Sequence, residues 1–191
     1  MYSSLSSAIA AAEQAGVSLA HLALETEARD QGRPVAEIRD ALRRALVVMR
    51  GAVERGLAGD LRSASGLVGG DAAKVGQSSK GPFAGTPFAD VLARALAVQE
   101  VNAAMGVIVA APTAGGAGVL PAVLTGLAAA RGIGDDAIVD ALATAGLIGA
   151  VVADRASLSG AEGGCQAETG AAAGMAAGAA TEMLGGTPAQ V

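Results

Sequence analysis

Nearly every apolar position in this sequence is filled by a small side chain, most often alanine with some valine and leucine, and helix faces built this way can pack only by bringing backbones close together. Hydrophobic residues make up 52% of the 191 residues while aromatic residues make up 2%, and 28 glycines are more than loops alone require. Alanine is the strongest helix former, so the pattern points to tightly packed helices with small contact faces and leaves little room for strands. We therefore expect an all-α fold, a compact bundle of Ala/Gly-rich helices, as a single domain over residues 1–191. A chain of this length buries a core without staples.

Helical spacing marks segments 3–15, 19–30 and 35–57, separated by Gly16-Val17-Ser18 and Gly32-Arg33-Pro34. Ser18 and Pro34 stand where an N-cap and a first-turn proline belong. In the third segment Ile38, Leu42, Ala45, Val48 or Met49 and Val53 recur on one face, and Glu37, Arg39, Arg43, Arg44, Arg50 and Arg55 take the other, as an amphipathic packing helix requires. Residues 58–88 change character: seven glycines punctuate a polar stretch that holds both lysines, Lys74 and Lys80, and it reads as a glycine-rich functional loop region. Helices resume at about 89–106, 120–131 and 135–155, and a last one runs from Cys165 to about 184, where Gly185-Gly186 ends it.

Several classes of function are disfavoured. A net charge of −5 with almost no aromatics gives neither a basic stripe nor a stacking platform for nucleic acid. The apolar runs 101–130 and 137–153 are interrupted by Asn102, Pro112, Pro121 and Asp140 and read as buried core helices rather than bilayer spans. No basic segment followed by an apolar stretch opens the chain, so no signal peptide is visible. One cysteine permits no intrachain disulfide and suits a reducing cytoplasm. His21, the only histidine, lies in Ala-His-Leu-Ala-Leu with nothing site-like around it, and reads as an ordinary helix residue.

Two segments permit chemistry. Pro112-Thr-Ala-Gly-Gly-Ala-Gly118 delivers the chain into a helix start at Val119-Leu-Pro-Ala, where free N–H groups and the helix dipole suit a carboxylate or phosphate and Thr113 adds a hydroxyl. It is neither a Walker loop nor a dinucleotide fingerprint. By pattern alone a structural turn and a ligand site fit equally. In Ser157-Leu-Ser-Gly-Ala-Glu-Gly-Gly-Cys-Gln-Ala-Glu-Thr169 the cysteine stands at a helix start, which favours thiolate, the form that attacks a substrate or binds iron. A small buried hydrophobe fits Cys165 as well. Beyond it Gly170, Gly174 and Gly178 recur on one helical face, a pattern that lets a neighbouring backbone approach closely.

Four blocks in order, Ser65-Gly-Leu-Val-Gly-Gly-Asp-Ala-Ala-Lys74, Glu100-Val-Asn-Ala-Ala-Met-Gly106, Ala111-Pro-Thr-Ala-Gly-Gly-Ala-Gly-Val-Leu-Pro-Ala122 and Ser159-Gly-Ala-Glu-Gly-Gly-Cys-Gln-Ala-Glu168, resemble the alpha chain or catalytic domain of the iron–sulfur-dependent L-serine dehydratases. The resemblance implies an L-serine ammonia-lyase in which a [4Fe–4S] cluster, held by three cysteines, polarises the 3-hydroxyl of L-serine as Lewis acid, giving aminoacrylate and then pyruvate and ammonia, without pyridoxal phosphate. Carried over by position, Cys165 matches a cluster ligand, and Thr113 with the Gly115 and Gly116 amides falls on the turn that binds the substrate carboxylate. Lys74, Glu100 and Asn102 are expected to line the same pocket, with a solvated loop lysine the alternative for Lys74.

The family's two further ligand cysteines follow beyond Val191, and its catalytic base is a histidine of a beta domain or beta subunit. No catalytic residue is therefore expected in this chain. We expect a C-terminally incomplete chain, cluster-free and inactive alone, within a homo- or hetero-oligomer, with neither nucleic acid nor membrane as partner. Two alternatives remain: a non-catalytic helical scaffold that binds a partner, and a related lyase acting on another β-substituted amino acid.

Overall fold

The structure is a computed structural model that describes residues 2–78 and 80–191. The described residues contain eight helices and no strand, in agreement with the all-α expectation: α1 (Leu5–Ala15), α2 (Leu19–Gln31), α3 (Val35–Leu57), α4 (Asp71–Gln77), α5 (Pro87–Ala103), α6 (Val119–Arg131), α7 (Asp135–Arg155) and α8 (Gly160–Met183). Helix ends are written in local chemistry. Ser18 accepts the His21 N–H at the start of α2, and Gly16, Gly32 and Gly132 end α1, α2 and α6 in the left-handed conformation that costs glycine least. The chain groups into two compact units, Met1–Arg44 with Gly134–Val191, and Ala45–Ile133. The division falls inside α3, where no break in composition could announce it.

In the first unit α7 packs against α2 and α8, and α1 lies beside α2. Ala8, Ala12, Ala20, Leu24, Ile38 and Leu147 belong to its core, which is largely alanine with a few leucines, as the small-residue pattern requires. Where α7 meets α8, a Cβ on Gly149 would come within 3.0 Å of the Met175 sulfur. The Glu182 carboxylate joins three helices: it accepts the Ala20 N–H at 2.9 Å and the hydroxyl of the fully buried Thr144. By length and composition α7 could cross a membrane, with a mean hydropathy of 1.8 in its most apolar window. That window is 61% buried within the fold, as in a core helix.

The stripe Gly170, Gly174, Gly178 behaves differently from its reading in the sequence. An added Cβ at Gly178 would lie 2.3 Å from Ile148 Cδ1, but at Gly170 and Gly174 it would meet nothing within 4 Å. Equal spacing puts the three on one face, yet α7 approaches that face closely only at Gly178.

In the second unit α5 packs against both α4 and α6. Ala52, Val53, Val98, Val101 and Ala117 form a buried cluster with Leu57, Leu61 and Ile108 against it. Two glycines let the backbone of α5 come close: a Cβ on Gly56 would stand 2.2 Å from the Ala97 carbonyl oxygen, and one on Gly118 would stand 2.5 Å from that of Ala95. Within the glycine-rich region 58–88, residues 63–68 close into a turn, with the Ser63 N–H donating to the Val68 carbonyl at 2.9 Å, and α4 follows.

Candidate functional site

The last turn of α5 carries Gln99, Glu100 and Asn102, and each of these side chains hydrogen-bonds backbone outside the helix. Glu100 is 3% exposed. Its carboxylate accepts the N–H groups of Gly70, Asp71 and Ala72 at 2.9, 2.7 and 2.9 Å. These are the orphan donors at the start of α4, where Gly70 (φ 83°) provides no side-chain cap. A carboxylate from another helix thus does the work of a local cap, and hydrogen bonds to a charged acceptor are the stronger kind.

On the neighbouring face of the same turn, Gln99 Nε2 donates to the carbonyls of Ala114 and Gly115 at 3.3 and 2.8 Å. Asn102 Nδ2 donates to the Ala114 carbonyl at 3.3 Å and to Gln99 Oε1 at 3.4 Å. The turn they hold, residues 112–118, follows a cis Ala111–Pro112 bond and leads into α6. The Ala117 N–H closes it back on Ala114 at 3.3 Å, and the Val119 N–H on Gly116 at 3.1 Å. The N–H groups of Gly115 and Gly116 donate to no described residue, although Gly116 is buried. Two adjacent N–H groups without a protein acceptor thus lie just ahead of the 13-residue α6, an arrangement whose chemistry suits an anion.

The second unit therefore gathers Glu100, Asn102, Thr113, Gly115 and Gly116 around one helix end. Thr113 is half-buried and does not lack a partner. Lys74 lies on α4, its side chain 75% exposed and paired with Asp71 at 2.8 Å. The ammonium group, by that hydrogen bond first, holds the Asp71 carboxyl below the ordinary aspartate range. Sequence reasoning misses Gln99. An amide on an amphipathic helix reads as a surface residue, and nothing local signals that it grips a turn fifteen residues away.

Cys165 belongs to the first unit. The backbone of α8 breaks at Gly164 (φ 75°, ψ 173°), so Cys165 opens the regular part of the helix, where the sequence put it, and it is exposed rather than buried. Ser159 caps the short preceding turn by accepting the Ala161 N–H. An exposed cysteine at that position is geometrically free to take a metal. It is also the chain's only cysteine, and among the described residues no group of three or more His, Cys, Asp or Glu converges. One thiolate does not make a four-iron site, so this chain's donors do not by themselves fit the cluster. His21 sits exposed on α2, away from any such grouping.

The family described as serine dehydratase alpha chain matches residues 14–191. The probable L-serine dehydratase alpha chain of Bacillus subtilis is 49% identical over 151 residues, covering 76% of this chain and 49% of that protein. The L-serine dehydratase of Streptomyces coelicolor is 41% identical over 186 residues, covering 94% of this chain and 40% of that protein. The L-serine dehydratase alpha chain of Peptoniphilus asaccharolyticus is 38% identical over 178 residues, covering 90% and 60% respectively. The chain thus spans about half the length of the curated relatives it matches.

Proposed function

We propose, for a chain that belongs to the serine dehydratase alpha-chain family, that it forms the substrate-binding part of a cytoplasmic L-serine ammonia-lyase converting L-serine to pyruvate and ammonia. The observation that carries this reading is the pair of unclaimed N–H groups at Gly115 and Gly116, held open at the start of α6. They suit the α-carboxylate of an amino acid: two adjacent donors for two oxygens, with the positive end of the helix dipole behind them. Anchoring the carboxylate there fixes Cα, so that the Cα–H and the C3 hydroxyl are presented in a set orientation to the groups that act on them.

Asn102 and Thr113 flank the carboxylate turn. Glu100 serves the pocket by fixing the start of α4, and with it the direction from which Lys74 faces the substrate. A [4Fe–4S] cluster would supply the Lewis acid that makes the 3-hydroxyl a better leaving group, and Cys165 is the one thiolate ligand this chain would offer to it. One thiolate does not hold a four-iron cluster, so on this reading the other ligands and the base that takes the Cα proton would come from elsewhere in the assembly, the base from a beta domain or subunit, and activity requires that assembly.

The test is anaerobic reconstitution with iron and sulfide, followed by assay of pyruvate formed from L-serine. It is applied to this chain, to the chain joined to the remaining regions its relatives contain, and to that assembly with its beta partner. Activity is expected in the completed assembly alone. A completed, reconstituted assembly that forms no pyruvate would sink the reading.

A further inference from the structure

A peptide group is planar and trans, so its C=O and N–H point in opposite directions. The Ala114 carbonyl shares its peptide group with the Gly115 N–H, and the Gly115 carbonyl shares its own with the Gly116 N–H. Gln99 Nε2 holds both carbonyls on the α5 side of the turn, at 3.3 and 2.8 Å. Both N–H groups must then face away from α5, which is the direction in which neither finds an acceptor among the described residues. The Gln99 amide is itself fixed, because its Oε1 accepts from Asn102 Nδ2 at 3.4 Å.

The hold matters because of what the turn is made of. Glycines on both sides of the 115–116 peptide remove the Cβ contacts that would otherwise resist its rotation. Left to itself, this peptide could turn its N–H toward α5 and its carbonyl outward, replacing an anion donor by an anion repellent. An unsatisfied N–H at the buried Gly116 favours that rotation, since a buried donor without an acceptor is costly.

We propose that Gln99 is a positioning residue for substrate recognition: it shares the Ala114 carbonyl with Asn102 and the Ala117 N–H but alone clamps the Gly115 carbonyl, and so keeps the Gly116 N–H beside that of Gly115 in the donor orientation and thereby sets the affinity for the free α-carboxylate of the substrate. This rests on the reading of residues 112–118 as the carboxylate site. Gln99 touches no substrate atom. Its influence is on binding, through the turn.

The experiment is steady-state kinetics of the complete, reconstituted enzyme carrying Gln99→Met, a substitution that keeps helix propensity and approximate volume but has no N–H to give. The KM for L-serine is expected to rise about tenfold with kcat held within about twofold, the signature of lost ground-state binding. A KM unchanged by Gln99→Met, or a fall confined to kcat, overturns the proposal. Should Gln99→Met melt early, Gln99→Lys and Gln99→Glu replace it. Lys keeps donors at similar reach whereas Glu sets a carboxylate against the two carbonyls, so KM should be at least about tenfold higher for Glu, and equal KM values overturn the proposal.

L-serinamide, the neutral analogue, separates failure of this inference from failure of the carboxylate site. If the unmodified enzyme binds L-serinamide as tightly as L-serine, the turn does not read a carboxylate and both readings fall. If it strongly prefers L-serine and Gln99→Met leaves that preference and KM intact, Gln99 alone is excluded.

Discussion

Replacing Glu100 by glutamine removes one oxygen and one charge from a buried side chain while keeping its shape, and the structure says which contacts survive. Oε1 accepts from Asp71 and Ala72, and Oε2 from Gly70. Glutamine can retain the first pair through its carbonyl, but it then sets an NH2 group against the Gly70 N–H. The variant loses one hydrogen bond to a charged acceptor, worth about 1.5–3 kcal/mol, and two others weaken toward the neutral value near 1 kcal/mol. The net loss should be about 3 kcal/mol, and Glu100→Ala should lose about 3–5 kcal/mol because two buried donors go unanswered.

The assay is hydrogen exchange at the Gly70, Asp71 and Ala72 amides, read beside denaturant unfolding of the chain. A loss of about 3 kcal/mol in a local opening speeds exchange by about a hundredfold. If Glu100→Gln leaves those amides protected and stability within about 0.5 kcal/mol, the carboxylate is not the cap of α4. If protection survives while the complete enzyme loses L-serine binding, Glu100 acts on the substrate directly rather than through the start of α4.

Further outcomes follow from single positions. Gly56→Ala drives a methyl to 2.2 Å from the Ala97 carbonyl oxygen and should destabilise by about 2–4 kcal/mol in thermal or denaturant unfolding. Gly174→Ala, with open space around the new methyl, should be neutral or stabilise by up to about 1 kcal/mol. Arg43, by its hydrogen bond first and its charge second, holds the Asp136 carboxyl below the ordinary aspartate range. A depressed folded-state value stabilises above the unfolded pKa and is lost as pH falls through the folded one. The Asp136 carboxyl should therefore titrate below the ordinary value by NMR, and move up toward it in Arg43→Ala, where Arg39 at 3.8 Å remains beside it. The exposed Cys165 should react with a thiol reagent once per chain without denaturation; a thiol that reacts only after unfolding would contradict its placement.

Features set by neighbours in the chain are legible in the sequence, and those set by distant partners are not. The αL glycines at 16 and 32, the Ser18 cap and the opening of a helix at Cys165 depend on local backbone chemistry. Helix α4 reads as loop in the sequence because its seven residues are short for a helix, and its start is completed by a carboxylate 28–30 residues further along the chain. The glycines at 170, 174 and 178 mark the correct face but not the distance of the neighbouring helix, which depends on how α7 crosses. Of the candidate site, the 112–118 turn is visible as a glycine-rich entry to a helix. The residue that orients it is not, because the partnership of Gln99 with Ala114 and Gly115 exists only after α5 and the turn have come together.

One helical turn serves two irregular segments for a reason of geometry. Successive residues on an α-helix are rotated by about 100°, so Gln99 and Asn102, three apart, point to one side while Glu100 points to another. The first pair grips the turn before α6 and Glu100 grips the start of α4, and both grips begin from a helix end fixed by the buried Val98 and Val101. The Ala104 and Gly106 N–H groups close that end on the Glu100 and Val101 carbonyls at 2.9 and 2.8 Å. Glycine-rich segments are needed where backbone must approach a ligand, but they do not hold a shape alone. Placing their partners on one well-packed helix gives them a common rigid reference, so a shift at the end of α5 should disturb the 112–118 turn and the start of α4 together. Double-mutant combinations of Gln99 and Glu100 changes are consequently expected to depart from additivity in their effect on L-serine binding.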